Sequence, residues 1–134
     1  MRLWKGKAVC VIRLLLLLLL LATAAPAAQQ PPAISLSLNP QVGYRPLTVA
    51  ARILIEPNYL NRGVCIVWES NIYSGAGCWD VEGQYAQRAY TYTIKSLPAV
   101  KDSTTEYSVW VELITVRHRT TTPAQTIRVI DREY

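Results

Sequence analysis

Cys65 and Cys78 are the residues of this chain best placed for covalent chemistry. The third cysteine, Cys10, lies in an N-terminal segment read below as removed. The remaining pair lacks C-x-x-C spacing and has no histidine nearby, so neither a redox motif nor a metal pair is indicated. An even pair in an oxidising compartment defaults to a structural disulfide. It closes a loop of about 14 residues, worth roughly 3 kcal/mol in the chain-entropy model. The single histidine, His118, sits between Arg117 and Arg119 in an expected turn. Nothing predicts that a serine and a carboxylate approach it, so no nucleophilic triad is expected. Asp80 and Glu82 lie one residue apart, but a glycosidase pair must flank a bond in a cleft. Short loops offer little cleft. Glu69, Asp80 and Glu82 lack the ligand-spaced loop of a calcium site. The expectation is no catalytic residue, no metal and no cofactor.

Aromatic side chains offer contact chemistry instead. Trp68 follows Val64 and Ile66 at period two and is expected in the core. If Tyr107, Val109 and Val111 face inward, Trp110 faces outward. Cys65 and Val67 then share that outer face on a neighbouring strand. Trp79, next to Cys78, and Tyr73, in the connecting loop, are expected to join them. Trp110, Trp79, Val67 and Tyr73 together form the candidate contact surface, suited to a protein partner or to stacked sugars. The bland alternative is that Trp110 only covers the disulfide. Leu54, Ile114 and Val116 also point away from the assumed core, marking an interface or a slipped register.

These residues are carried by a chain with period-two patterning almost throughout. Alternation predicts strands at Ile34–Leu38, Leu47–Leu54, Val64–Glu69, Gly77–Val81, Ala89–Ile94, Tyr107–Val116 and Gln125–Ile130. Residues 40–46, 56–63, 71–77, 98–104 and 117–123, with their Gly, Pro and Asn, read as turns or loops. Seven short strands with no helical period argue for an all-β antiparallel sandwich.

The first 27 residues read as a secretory signal. Arg2, Lys5 and Lys7 open it, eight leucines from Leu14 to Leu21 form its apolar part, and small residues end it. Cleavage after Ala24 or after Ala27 satisfies the small-residue rule. The alternative is an uncleaved anchor, since residues 8–25 nearly reach the roughly 18–20 apolar residues a span needs. Residues 28–134 form one expected domain. Four of the fourteen basic residues lie in the signal, leaving ten against nine acidic ones. The remaining cations are scattered, so no nucleic-acid surface is indicated. A secreted or periplasmic location follows, with membrane contact only through an uncleaved signal.

Several segments, in order, resemble a PKD-type (polycystic kidney disease repeat) immunoglobulin-like domain. Asn39-Pro40-x-x-Gly43-x-x-Pro46-Leu47-Thr48-Val49 is similar to the family's opening turn and strand. Val67-Trp68-Glu69 is similar to its central strand, Ala89-Tyr90-Thr91-Tyr92 to the strand ending in tyrosine, and Glu106 to Val111 to the T-Y-x-V-x-L strand. The glycine-aspartate turn after the central strand is absent, and the Cys65–Cys78 pair is foreign to the pattern. The resemblance implies an immunoglobulin-like sandwich with a binding, spacing or adhesion role outside the cell. It implies no catalysis and names no ligand. The leading expectation is an exported, non-enzymatic binding or adhesion module. A structural subunit of an envelope or extracellular assembly is the alternative, and a small secreted hydrolase a third.

Overall fold

The computed structural model describes residues 33–81 and 83–132. The expected signal segment lies outside them. Nine strands run in order: β1 (Ile34–Asn39), β2 (Val42–Tyr44), β3 (Leu47–Ile55), β4 (Asn61–Glu69), β5 (Ser74–Asp80), β6 (Ala89–Leu97), β7 (Thr104–Thr115), β8 (Arg119–Thr121) and β9 (Gln125–Ile130). No helix is present among the described residues.

The alternation that predicts strands also sorts their faces. Along β3, Leu47, Val49, Ala51, Ile53 and Ile55 are buried while the residues between them are exposed. Along β7, Tyr107, Val109, Val111 and Leu113 are buried, as expected. Ile114 and Val116 do lie off the core, and Leu54 is exposed. The β3–β6 ladder around Leu54 is in register, so its outward direction follows from the pleat, whereas the β4–β7 ladder shifts register between Gly63, opposite Ile114, and Asn61, opposite Thr115.

Two sheets result. One is β1-β3-β6; the other is β2-β9-β7-β4-β5, with β8 also paired to β7. Their inward side chains form one core. β2 runs parallel to β9, whereas every other pair is antiparallel. The three-strand and six-strand layers, with the strands divided between them, make an immunoglobulin-like sandwich. A tyrosine corner accompanies it: Tyr107, near the start of β7, donates its hydroxyl to the Pro98 carbonyl at 2.6 Å, tying the strand back to the β6–β7 connection.

The structure adds two strands to the expected seven. β2 falls where residues 40–46 read as a turn. It is only three residues long and takes its partners from β9, a pairing no local pattern reveals. β8 falls in the expected turn at residues 117–123. It continues the β7–β9 hairpin, which breaks at Thr122, where the backbone N–H and the side-chain Oγ1 both bond Val111. β5 also begins earlier than expected, at Ser74, because its glycines sit in a strand. A Cβ at Gly75 would strike the Trp68 ring, and one at Gly77 the Tyr92 ring. These glycines are demanded by close approach to aromatic rings rather than by a turn.

Candidate binding face

The outer surface of the six-stranded sheet is built by residue pairs across its ladders. Val67 of β4 faces Trp110 of β7 on one side and Ala76 of β5 on the other. In the next row, Cys65 faces Cys78 on one side and Glu112 on the other. The row beyond Val67 is Ser74, Glu69, Ser108 and Thr126. An apolar row of Ala76, Val67 and Trp110 therefore crosses three strands, bounded by the disulfide on one side and polar residues on the other.

Cys65 and Cys78 are bonded, as expected, with their Cα atoms 4.1 Å apart. The bond joins neighbouring strands of one sheet; it is not the bridge between sheets found in antibody domains. Cys78 is exposed on the edge strand and Cys65 half-buried. The residue directly across β7 from Cys65 is Glu112, not Trp110.

Trp110 is half-buried, and its indole N–H points to Glu112 Oε1 at 3.4 Å. The other carboxylate oxygen of Glu112 accepts from Arg119 at 3.2 Å. The chain Trp110–Glu112–Arg119 fixes the indole's edge while part of its ring surface stays in contact with solvent.

Two other expected members stand elsewhere. Trp79 pairs with Val64, whose side chain is fully buried, so Trp79 points into the sandwich. Its ring stacks on Tyr92 at 5.7 Å with an interplanar angle of 5°, and packs on Tyr90 at 5.9 Å. Adjacency to Cys78 in sequence puts Trp79 on the opposite face, because neighbours along a strand alternate. Tyr73 lies in the β4–β5 turn, where its N–H donates to Ser70 Oγ and its carbonyl accepts from the Ser70 N–H. Its side chain is exposed, and its phenol acts electrostatically on Tyr107. Burial pushes the Tyr107 phenol above its ordinary 10.0; Ser70 pulls it down by a hydrogen bond and Tyr73 adds to the rise. Of the candidate contact residues, Val67 and Trp110 share the apolar row, joined by Ala76, which the sequence reading missed, while Tyr73 is exposed in its turn. The period-two signal in β5 was hidden by its glycines.

Trp68 is in the core, tilted against Tyr92 at 5.8 Å. The indole N–H groups of Trp68 and Trp79 have no acceptor among the described residues. His118 is exposed in the β7–β8 turn, where its carbonyl accepts from the Thr115 N–H. Glu69 and Asp80 are not brought together. They sit at opposite ends of the β4–β5 ladder, facing Ser74 and Gly63, about 20 Å apart at the rise of a strand. Glu82, the third carboxylate considered, lies outside the described residues. A shallow depression of about 400 Å³ over β2 and β9 is lined by Gln41, Val42, Gln125, Thr126 and Arg128. It gathers no set of groups with evident chemistry.

No protein-family profile and no curated protein sequence matches the chain. Among solved structures, murine CRIg is similar over 76% of this chain and 100% of its own, with 15% sequence identity and a TM-score of 0.41. The immunoglobulin-like assignment stands on the strand order and the Tyr107 corner.

Proposed function

We propose that this chain is an exported, non-enzymatic binding or adhesion module whose contact face is the outer surface of the six-stranded sheet around Trp110 and Val67. One observation carries the reading. Trp110 occupies the outward side of a central strand, where the core has no use for it, and it continues an apolar row through Val67 to Ala76. Tryptophan in that position supplies large contact area with a polar handle. The disulfide gives Trp110 little reason to be a cover, since Cys78 is exposed and Cys65 faces Glu112. Export is supported by residues 1–27 and by the disulfide itself, which persists in oxidising compartments. The ordered PKD-type segments support a domain used for spacing or adhesion; the ligand class is an extracellular protein or a glycan. The test is capture from a glycan array and from an extracellular protein extract, with Trp110→Ser beside the natural chain. A ligand retained only by the natural chain supports the face.

A second reading is a structural subunit that buries the same row permanently in an assembly. The exposed Leu54 and Val116 favour further apolar contacts. Sedimentation separates the two: a reversible binder is monomeric alone, and an assembly subunit self-associates.

A further inference from the structure

β6 ends its sheet, and the direction of its backbone groups follows from one hydrogen bond. The Ile55 N–H donates to the Arg88 carbonyl at 2.8 Å. The β3–β6 register continues from there through Leu54 opposite Ala89. Hydrogen-bonded pairs recur every second residue in an antiparallel ladder. Tyr90, Tyr92 and Ile94 therefore bond to β3, and the N–H and C=O groups of Ala89, Thr91 and Thr93 point away from it. No backbone hydrogen bond among the described residues reaches that side.

The other edges are blunted and this one is not. On β1, the outward Leu36 carbonyl accepts from Gln125 Nε2 at 2.6 Å. β2 is three residues long. β5 carries two glycines, ends in Asp80 and is bolted to β4 by the disulfide. From Ala89 to Ile94, β6 has no proline, glycine or charged residue.

Charge then selects the occupant. The outer face of the three-stranded sheet presents Arg52, opposite Thr91, and the exposed Lys95, with the exposed Glu56 just past the end of β3. Neither Arg52 nor Lys95 is in an ion pair among the described residues. Glu69, Asp80, Glu106 and Glu112 all belong to the other sheet. On the inner side of the edge, Tyr90 and Tyr92 are half-buried against Trp79.

We propose that β6 accepts an extended segment of a protein partner as an added strand, with acidic side chains over Arg52 and Lys95 alternating with apolar ones over Tyr90, Tyr92 and Trp79. Main-chain bonds to Ala89, Thr91 and Thr93 supply affinity, and the alternating pattern supplies specificity.

The test uses a capped peptide of about ten residues alternating glutamate and valine, a strand-length probe, with a lysine–valine counterpart as control. Hydrogen exchange is followed in the oxidised protein. Exchange at Ala89, Thr91 and Thr93 is expected to slow with the acidic peptide alone. Thr91→Pro removes an N–H that the β3 ladder does not use and is expected to weaken binding about tenfold, or 1.4 kcal/mol. Lys95→Glu is expected to weaken it without touching the backbone, and Trp110→Ser to leave it unchanged, separating this edge from the contact face. Absence of slowing at these three amides, or full binding by Thr91→Pro, overturns the proposal. Slowing that needs no peptide and grows with protein concentration also overturns it, by assigning the edge to a second copy.

Discussion

Val67 and Trp110 face each other across the β4–β7 ladder on the solvent side of the sheet, while Trp68, one residue along, faces Val109 inside the core. Two tryptophans of similar size thus do different work one ladder position apart. Trp68→Ala is expected to cost about 3–5 kcal/mol, the usual range for emptying a core of a large ring. Trp110→Ser is expected to cost under about 1 kcal/mol, as for a surface change. Urea unfolding followed by circular dichroism of the three chains checks the contrast.

Replacing Cys65 and Cys78 together by alanine is expected to lower stability by about 3 kcal/mol, since the bond closes a short loop of the unfolded chain. The strands stay paired through the β4–β5 ladder, so the folded far-ultraviolet spectrum is retained. The natural protein with and without a thiol reductant, compared in urea, gives the same difference.

Arg45 and Asp131 form an unequal pair. The Asp131 side chain is 2% exposed and the Arg45 side chain 48%. Asp131 Oδ1 is ion-paired with Arg45 Nε, and its Oδ2 accepts from the Asp102 N–H at 2.7 Å. Arg45→Ala leaves a buried carboxylate short of its cation and is expected to cost about 3 kcal/mol. Asp131→Asn leaves only a half-exposed arginine and is expected to cost less, about 1–2 kcal/mol. Thermal unfolding of both variants gives the order.

Tyr107 makes stability fall at alkaline pH. Its phenol is raised by burial, so the folded chain keeps a proton that the unfolded chain releases above about pH 10. The unfolded state then binds fewer protons, and stability declines as pH rises through that range; below it the contribution is fully present. Tyr107→Phe loses the bond to Pro98, about 1 kcal/mol at neutral pH, and flattens that part of the alkaline decline. Urea midpoints across the range, for both chains, measure the change in slope.

The sandwich was legible because buried and exposed positions alternate cleanly in β1, β3 and β7, where apolar residues at every second place have one physical reading. The disulfide was legible from cysteine number and the expected compartment. β2 was hidden because a three-residue strand takes its pairing from β9, more than eighty positions away. Trp79 was misplaced because neighbours in sequence were grouped as neighbours in space, although a strand sends Cys78 and Trp79 to opposite faces. Ala76 was missed because Gly75 and Gly77 read as a loop, when they make room for the Trp68 and Tyr92 rings. The apolar row needs all three strands in register, and register is a property of the fold.

The most direct test of the contact face is the affinity of the captured ligand for the natural chain, Val67→Glu and Trp110→Ser, all oxidised and all shown to fold. Either substitution is expected to weaken binding by about tenfold or more, the loss of at least 1.4 kcal/mol that a central aromatic contact supplies. Equal affinity in all three chains would contradict the assignment of this face.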